Sequence, residues 1–308
     1  MTVPRLQSVA PPLSPAGPAS ETATVVIFWD YDTQWGADRS RNRSAIADWG
    51  HREFPNTERV LELHARYDIP ACFAVVGAAA RPGERPYHDP AQIRRIHAAG
   101  HEVASHSLEH EWLPALGPDA LRRTLRESKD ALEQCIGAEV RTFVPPFNQP
   151  FDYASRWAFS LSERLSVRGP RTDLGRLCAA LRETGYTFCR VAYQPLGERL
   201  AELVTRRSVD RPARVESIAG VRCLRLNTQG GFDEPVRRAI AARLDRGGYW
   251  VVYGHPHSAG DEPGPQSLRM LEGMLALIDQ WRRDGRVRCA LPRDIVHHQE
   301  RLDGPRHR

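Results

Sequence analysis

Lysine is almost absent from this chain. Lys129 stands alone among 43 lysines and arginines in 308 residues, so the formal net charge of +5 rests on arginine. No dense basic run interleaved with aromatics occurs, which sets nucleic acid aside and leaves an arginine-rich composition as the plain account of the charge. None of the six cysteines, Cys72, Cys135, Cys178, Cys189, Cys223 and Cys289, belongs to a C-x-x-C pair. Most sit in apolar surroundings, as free thiols do in a reducing compartment. No apolar run approaches the ~20 residues of a membrane helix. The opening "MTVPRLQSVAPPLSPAGPAS" lacks the unbroken apolar core of a signal peptide. It is rich in Pro, Ala and Ser, which predicts a disordered tail over residues 1–22 and a cytoplasmic protein.

What is present is an alternation of strands and helices. "TVVIFWD" (Thr24 to Asp30) and "ACFAVVG" (Ala71 to Gly77) read as buried parallel strands. "HEVASH", "RTFVPPF", "YTFCRVAY", "VRCLRLNTQGG" and "YWVVYGHPHS" read as further strands. Helical spacing marks Asn56 to Ile69, Asp89 to Gly100, Asp119 to Gly137, "DLGRLCAALRETG", "EPVRRAIAARLDRGG" and "QSLRMLEGMLALIDQWRRDG". Asn56 looks like the cap of the first of these. "VRCALPRDIVHHQ" reads as a last strand and turn, and "ERLDGPRHR" as a polar tail. Such alternation predicts an α/β fold with a parallel sheet or barrel, in one domain over residues 23–298 with a tail over 299–308.

In such folds reactive groups gather at the carboxyl ends of strands. Asp30, Asp32, His106, Asn148, His255 and His257 all fall there. His106 and His110 are four apart, and on a helix or tight turn their imidazoles can share one metal. The spacing alone is weak, since His97 and His101 share it; those two read as exposed or capping residues. Asp30 and Asp32, two apart at a strand exit, would repel if buried without a cation. A divalent metal held by Asp32, His106 and His110 removes that repulsion and leaves an open position for water. Asp30 can then take the water's proton, unless both carboxylates merely cap the next turn. His255, after an apolar strand and a small Gly, can protonate a leaving amine, with His257 an alternative. Trp35 can stack on a sugar face, while Trp29 reads as core. Arg39, Arg41 and Arg43 can bind an anion or form a solvated loop.

Together these elements resemble the polysaccharide deacetylase family, the NodB-homology domain of carbohydrate esterase family four, over Thr24 to Ile295. "HSLEH" (His106 to His110) is its H-[ST]-x-x-H motif intact. Asp30-Tyr31-Asp32 is its first motif in the spaced form of a divergent, intracellular branch, and Gly254-His255 its late histidine motif. The resemblance implies a distorted (β/α) barrel of about seven parallel strands. It implies metal-dependent N-deacetylation with Zn2+, or Co2+ or Mn2+ in its place. Asp30 would be the base, His255 the acid, and Asp32, His106 and His110 the ligands. The third motif matches at Pro146 and Phe147, whose N–H would stabilise an oxyanion. Its arginine is here Val144; Arg141, Arg190 and Asn148 are the candidates to replace it. No fourth motif with its acidic residue is found. The expected substrate is a soluble amino sugar bearing an acetyl or formyl group, bound beside Phe147, Asn148, Trp35 and His257. No membrane or nucleic-acid partner is expected, and a homo-oligomer is left open. A non-sugar amidohydrolase on a cyclic amide or ureide, or an inactive sugar-binding relative, are the competing readings.

Overall fold

The first strand, β1 (Ala23–Tyr31), is buried along all nine residues. It is apolar and β-branched because both of its faces are covered, as in a parallel sheet flanked by helices. The structure, a computed structural model, describes residues 22–39, 49–148, 158–159, 173–192, 194–195 and 212–304. The other strands are β2 (Cys72–Val75), β3 (Glu102–Ser105), β4 (Thr142–Phe143), β5 (Ala158–Phe159), β6 (Phe188–Val191), β7 (Gln194–Pro195), β8 (Val215–Ile218), β9 (Val221–Arg225), β10 (Tyr249–Gly254) and β11 (Val287–Cys289). Nine of these make one sheet in the order β10-β1-β2-β3-β4-β6-β9-β8, with β11 also on β1. From β10 to β9 every pairing is parallel, and only β8 runs antiparallel, against β9. The seven strands of that parallel path curl into a half-barrel with helices on its outer side. This is the distorted β/α barrel the sequence predicts. β5 and β7 form a separate antiparallel pair.

The two ends of the curl meet through a side chain. The Asn227 amide donates to the Tyr249 carbonyl at 3.0 Å and its Oδ1 accepts the Val251 N–H at 2.9 Å. One Asn side chain thus stands in for a strand residue between the end of β9 and β10. An isolated bridge between Ala213 and Tyr249 adds to the seam.

The helices are α1 (Thr33–Arg39), α2 (Trp49–Tyr67), α3 (Pro90–Ala98), α4 (Pro118–Ile136), α5 (Leu174–Glu183), α6 (Glu234–Ala241), α7 (Leu268–Arg283) and α8 (Pro292–Asp303). Three depart from the sequence reading. α1 occupies a stretch without an expected helix. α2 begins at Trp49 and runs through Pro55, so Asn56 is no cap. Its amide donates instead to the Pro256 carbonyl at 2.9 Å. The last strand is followed by a full helix rather than a turn, because Pro292 opens it and Asp294 Oδ2 accepts the Leu291 N–H at 2.9 Å. That helix continues to Asp303.

The core holds Trp29 at its centre, fully buried against the rings of Phe73 and Phe232. Its indole N–H donates to His64 Nε2 at 2.9 Å, and His64 Nδ1 faces the Ile69 carbonyl at 2.8 Å. A carbonyl only accepts, so His64 is neutral with its proton on Nδ1. Burial holds its pKa down to about 4. His101 is also buried, its Nδ1 accepting the Ala71 N–H at 3.1 Å. The expectation of an exposed or capping role fails for His101, since the turn that carries it is packed under β2. All six cysteines are free thiols, five of them buried.

Candidate metal and active site

Asp30 is the eighth residue of β1 and points into the mouth of the half-barrel. Arg190, on β6, grips it with both arms: Nη1 to Oδ1 at 2.9 Å and Nη2 to Oδ2 at 2.7 Å. Both side chains are buried. Burial pushes the Asp30 carboxyl up, but Arg190, His106 and His255 outweigh it and leave it below the ordinary carboxylate range. Of the three candidates to replace the missing arginine, Arg190 is the one at Asp30. Asn148 braces it, its Oδ1 accepting from Arg190 Nη2 at 3.2 Å while its Nδ2 donates to the Tyr253 hydroxyl at 3.1 Å. Arg141 instead pairs with Glu139.

Asp32 follows β1 directly, and His106 follows β3. Asp32 Oδ1 lies 3.4 Å from His106 Nε2 and 3.5 Å from His110 Nε2. The three ligand atoms lie within 4.8 Å of one another, and all three residues are buried. No helix brings the histidines together. The segment after β3 bends through Ser107 (φ 63°) and His110 (φ 59°), both in the left-handed region. Five of the seven non-glycine residues with positive φ among the described residues, Thr33, Ser107, His110, Phe147 and Asn148, flank this site. Backbone strain of this kind persists where the surroundings over-determine it.

The donor set fits a divalent cation. His106 Nδ1 faces the Val144 carbonyl at 2.7 Å, so it carries the ring proton and Nε2 presents a lone pair. Asp32 Oδ1 is buried and has no hydrogen-bond partner. One proton could satisfy a single one of these contacts, whereas one cation satisfies all three. Burial pushes Asp32 up, yet the imidazoles of His110 and His106 hold it well below the carboxylate range. Burial lowers His110 to about 4.

His255, just past β10, is half-buried, with Nε2 3.9 Å from Asp30 Oδ2. The Gln266 Oε1 accepts its backbone N–H at 2.7 Å and lies 3.3 Å from its Nδ1. The ring is therefore oriented by a neutral amide. His257 is buried and stacked on Trp49, ring centroids 4.0 Å apart. Phe147 packs its ring edge against His110 at 4.4 Å. Trp35 is half-buried, its ring held edge-on by Tyr87 and His88. Arg39 pairs with Glu109, and Arg41 and Arg43 lie outside the described residues. Gln266 and Glu53, a buried acid behind Asp32, escape the sequence reading. Glu53 precedes the expected helix start, and Gln266 carries no local signal of its role.

The family model described as polysaccharide deacetylase matches residues 47–160, which include the histidine pair. A chitooligosaccharide deacetylase of Sinorhizobium fredii is 38% identical over 92 residues, 30% of this chain and 40% of that protein. One from Rhizobium leguminosarum bv. trifolii is 32% identical over 76 residues, 25% of this chain and 33% of that protein. The chain thus matches less than half the length of these relatives. Its fold is similar to a candidate polysaccharide deacetylase from Mycobacterium smegmatis, with TM-score 0.59, 20% identity and 94% of each chain covered. It is also similar to an allantoinase, with TM-score 0.57, 16% identity and 92% and 91% covered. Residues 47–160, with the histidine pair, are thus similar to the polysaccharide deacetylase family, and they are set on a curled parallel sheet whose fold is similar to these solved structures over most of the chain.

Proposed function

We propose that the chain is a metal-dependent hydrolase that removes an N-acetyl or N-formyl group from a soluble amino sugar. The observation that carries this reading is the unpartnered, buried Asp32 oxygen facing two imidazole nitrogens beside a second, arginine-clamped carboxylate. Asp32, His106 and His110 would hold the ion, zinc first, with cobalt or manganese as alternatives. When bound, such an ion supplies Lewis acidity and makes water a stronger nucleophile at neutral pH.

The remaining work falls to side chains and backbone of this chain. Asp30, held ionised and aimed by Arg190, accepts a proton from the attacking water. The Phe147 N–H donates to the oxygen on which charge develops. His255, its ring set by Gln266, gives a proton to the departing nitrogen. Acetate or formate and a free amine leave. Asn148 keeps Arg190 in place, while Trp35 and His257 form the surrounding wall. All these groups lie within residues 23–298, taken as the catalytic domain. The six free thiols support a reducing, cytoplasmic setting and hence a soluble substrate.

Metal analysis of purified protein tests the site, and mass spectrometry of deacylation tests the reaction. The substrates are N-acetyl and N-formyl amino sugars, free and nucleotide-linked, with cyclic ureides as the opposing arm. Turnover of ureides alone, or bound metal with no turnover on any amide, would overturn the sugar reading. His106→Ala is expected to lose both metal and activity. Asp30→Asn is expected to keep the metal and lose roughly 10²–10⁴-fold in turnover. Full activity in Asp30→Asn would remove it as the base.

A further inference from the structure

Glu53 lies in the second turn of α2 and is wholly buried. Its Oε2 accepts the Thr33 N–H at 2.6 Å. The nearest titratable cation is poorly placed: His257 Nδ1 is 4.0 Å away and makes no hydrogen bond. The second oxygen, Oε1, is buried without any hydrogen-bond partner. A sealed carboxyl with an unpaired oxygen, set behind another carboxylate, opposes folding. A group buried at such cost calls for a task at the site.

The bend it grips supplies that task. Thr33 is buried and sits at φ 53°, a left-handed conformation that a β-branched residue adopts only under constraint. Three residues on, the Gly36 N–H donates to the Asp32 carbonyl at 3.1 Å, and a Cβ at Gly36 would stand 2.5 Å from that of Asp32. The chain therefore folds back at once after Asp32, and the Glu53 carboxyl holds the Thr33 N–H at the turning point. We infer that Glu53 is a positioning residue for the metal centre, which fixes the Asp32–Thr33 bend and so aims the Asp32 carboxylate at His106 and His110. This rests on the reading of that trio as a cation site.

The test titrates metal-free full-length protein with Zn2+ against a competing chelator and records the visible spectrum with Co2+. Glu53→Ala removes the acceptor, Glu53→Asp shortens it by one methylene, and Glu53→Gln keeps an oxygen at the same reach. Ala and Asp are expected to weaken metal binding about 10–100-fold and to alter the cobalt spectrum. Gln is expected to rescue both, to within about threefold of wild type on the same scale. Urea denaturation of each variant separates this from packing. A purely structural role would lower stability and leave the folded protein's metal affinity and cobalt spectrum unchanged, and that result would overturn the inference. If Ala does not fold, Asp decides: binding as tight as wild type sinks it. Wild-type protein that takes up no metal would sink the cation site itself, a different failure from variants that bind as wild type does.

Discussion

Asp30 and Arg190 are sealed from water together, and Arg190 is the only group that bonds both Asp30 oxygens among the described residues. Removing one member of such a pair leaves the other desolvated and alone. Arg190→Met is expected to destabilise the fold by about 3–5 kcal/mol, read from urea denaturation. Adding Asp30→Asn to that variant should restore part of the loss. If the double variant is no more stable than Arg190→Met, the two groups are not energetically coupled. The residues at this scale differ in how far the sequence disclosed them. Asp30, Asp32, His106 and His255 stood out because each is polar at the exit of an apolar strand, where burial needs a reason, and His110 because it stands four residues from His106. Glu53 did not, because an acid among arginines and polar residues ahead of an expected helix looks solvent-facing. Only the packing of α2 on the Pro256–Ser258 turn shows that its face is buried.

At the scale of elements, the strands were legible where both faces are covered, since a continuous apolar run admits few alternatives. The starts of α1 and α2 were not. A proline inside a helix reads locally as a boundary, and here tertiary contacts from Trp49, Glu53 and Asn56 override it. Nor could the closing of the curl be foreseen, because it depends on a side-chain amide and an isolated bridge rather than on a strand pairing. Asn227→Leu is expected to cost about 2 kcal/mol, as it leaves the Val251 N–H unpaired, while the Tyr249 carbonyl still accepts from Ala213. Hydrogen exchange at the Val251 amide should accelerate in that variant. Unchanged exchange there would mean that the seam is held by other contacts.

For the molecule as a whole, acid sensitivity follows from its buried neutral histidines. His64 is held at about 4 by burial, against an ordinary value near 6.5 in the unfolded chain. The unfolded state therefore binds more protons than the folded one between those values. Stability is complete above about pH 7 and falls as pH drops through 6.5 toward 4, by about 3 kcal/mol from this group. His101, lowered well below its ordinary value by burial, adds in the same direction. Urea midpoints measured from pH 7.5 to pH 5 should decline, and His64→Gln, which can still accept from Trp29 and donate to Ile69, should flatten the decline. A midpoint that rises on acidification would contradict this. The strand and helix alternation was readable from the sequence alone, yet which guanidinium serves Asp30 was not, since that depends on two non-adjacent strands, β1 and β6, bringing together residues 160 positions apart. Whoever grades relatives letter by letter in a fixed column would discard this chain at Val144. Graded by what arrives in space, the Asp30 oxygens are met by a guanidinium all the same, sent from β6 rather than from the Val144 position.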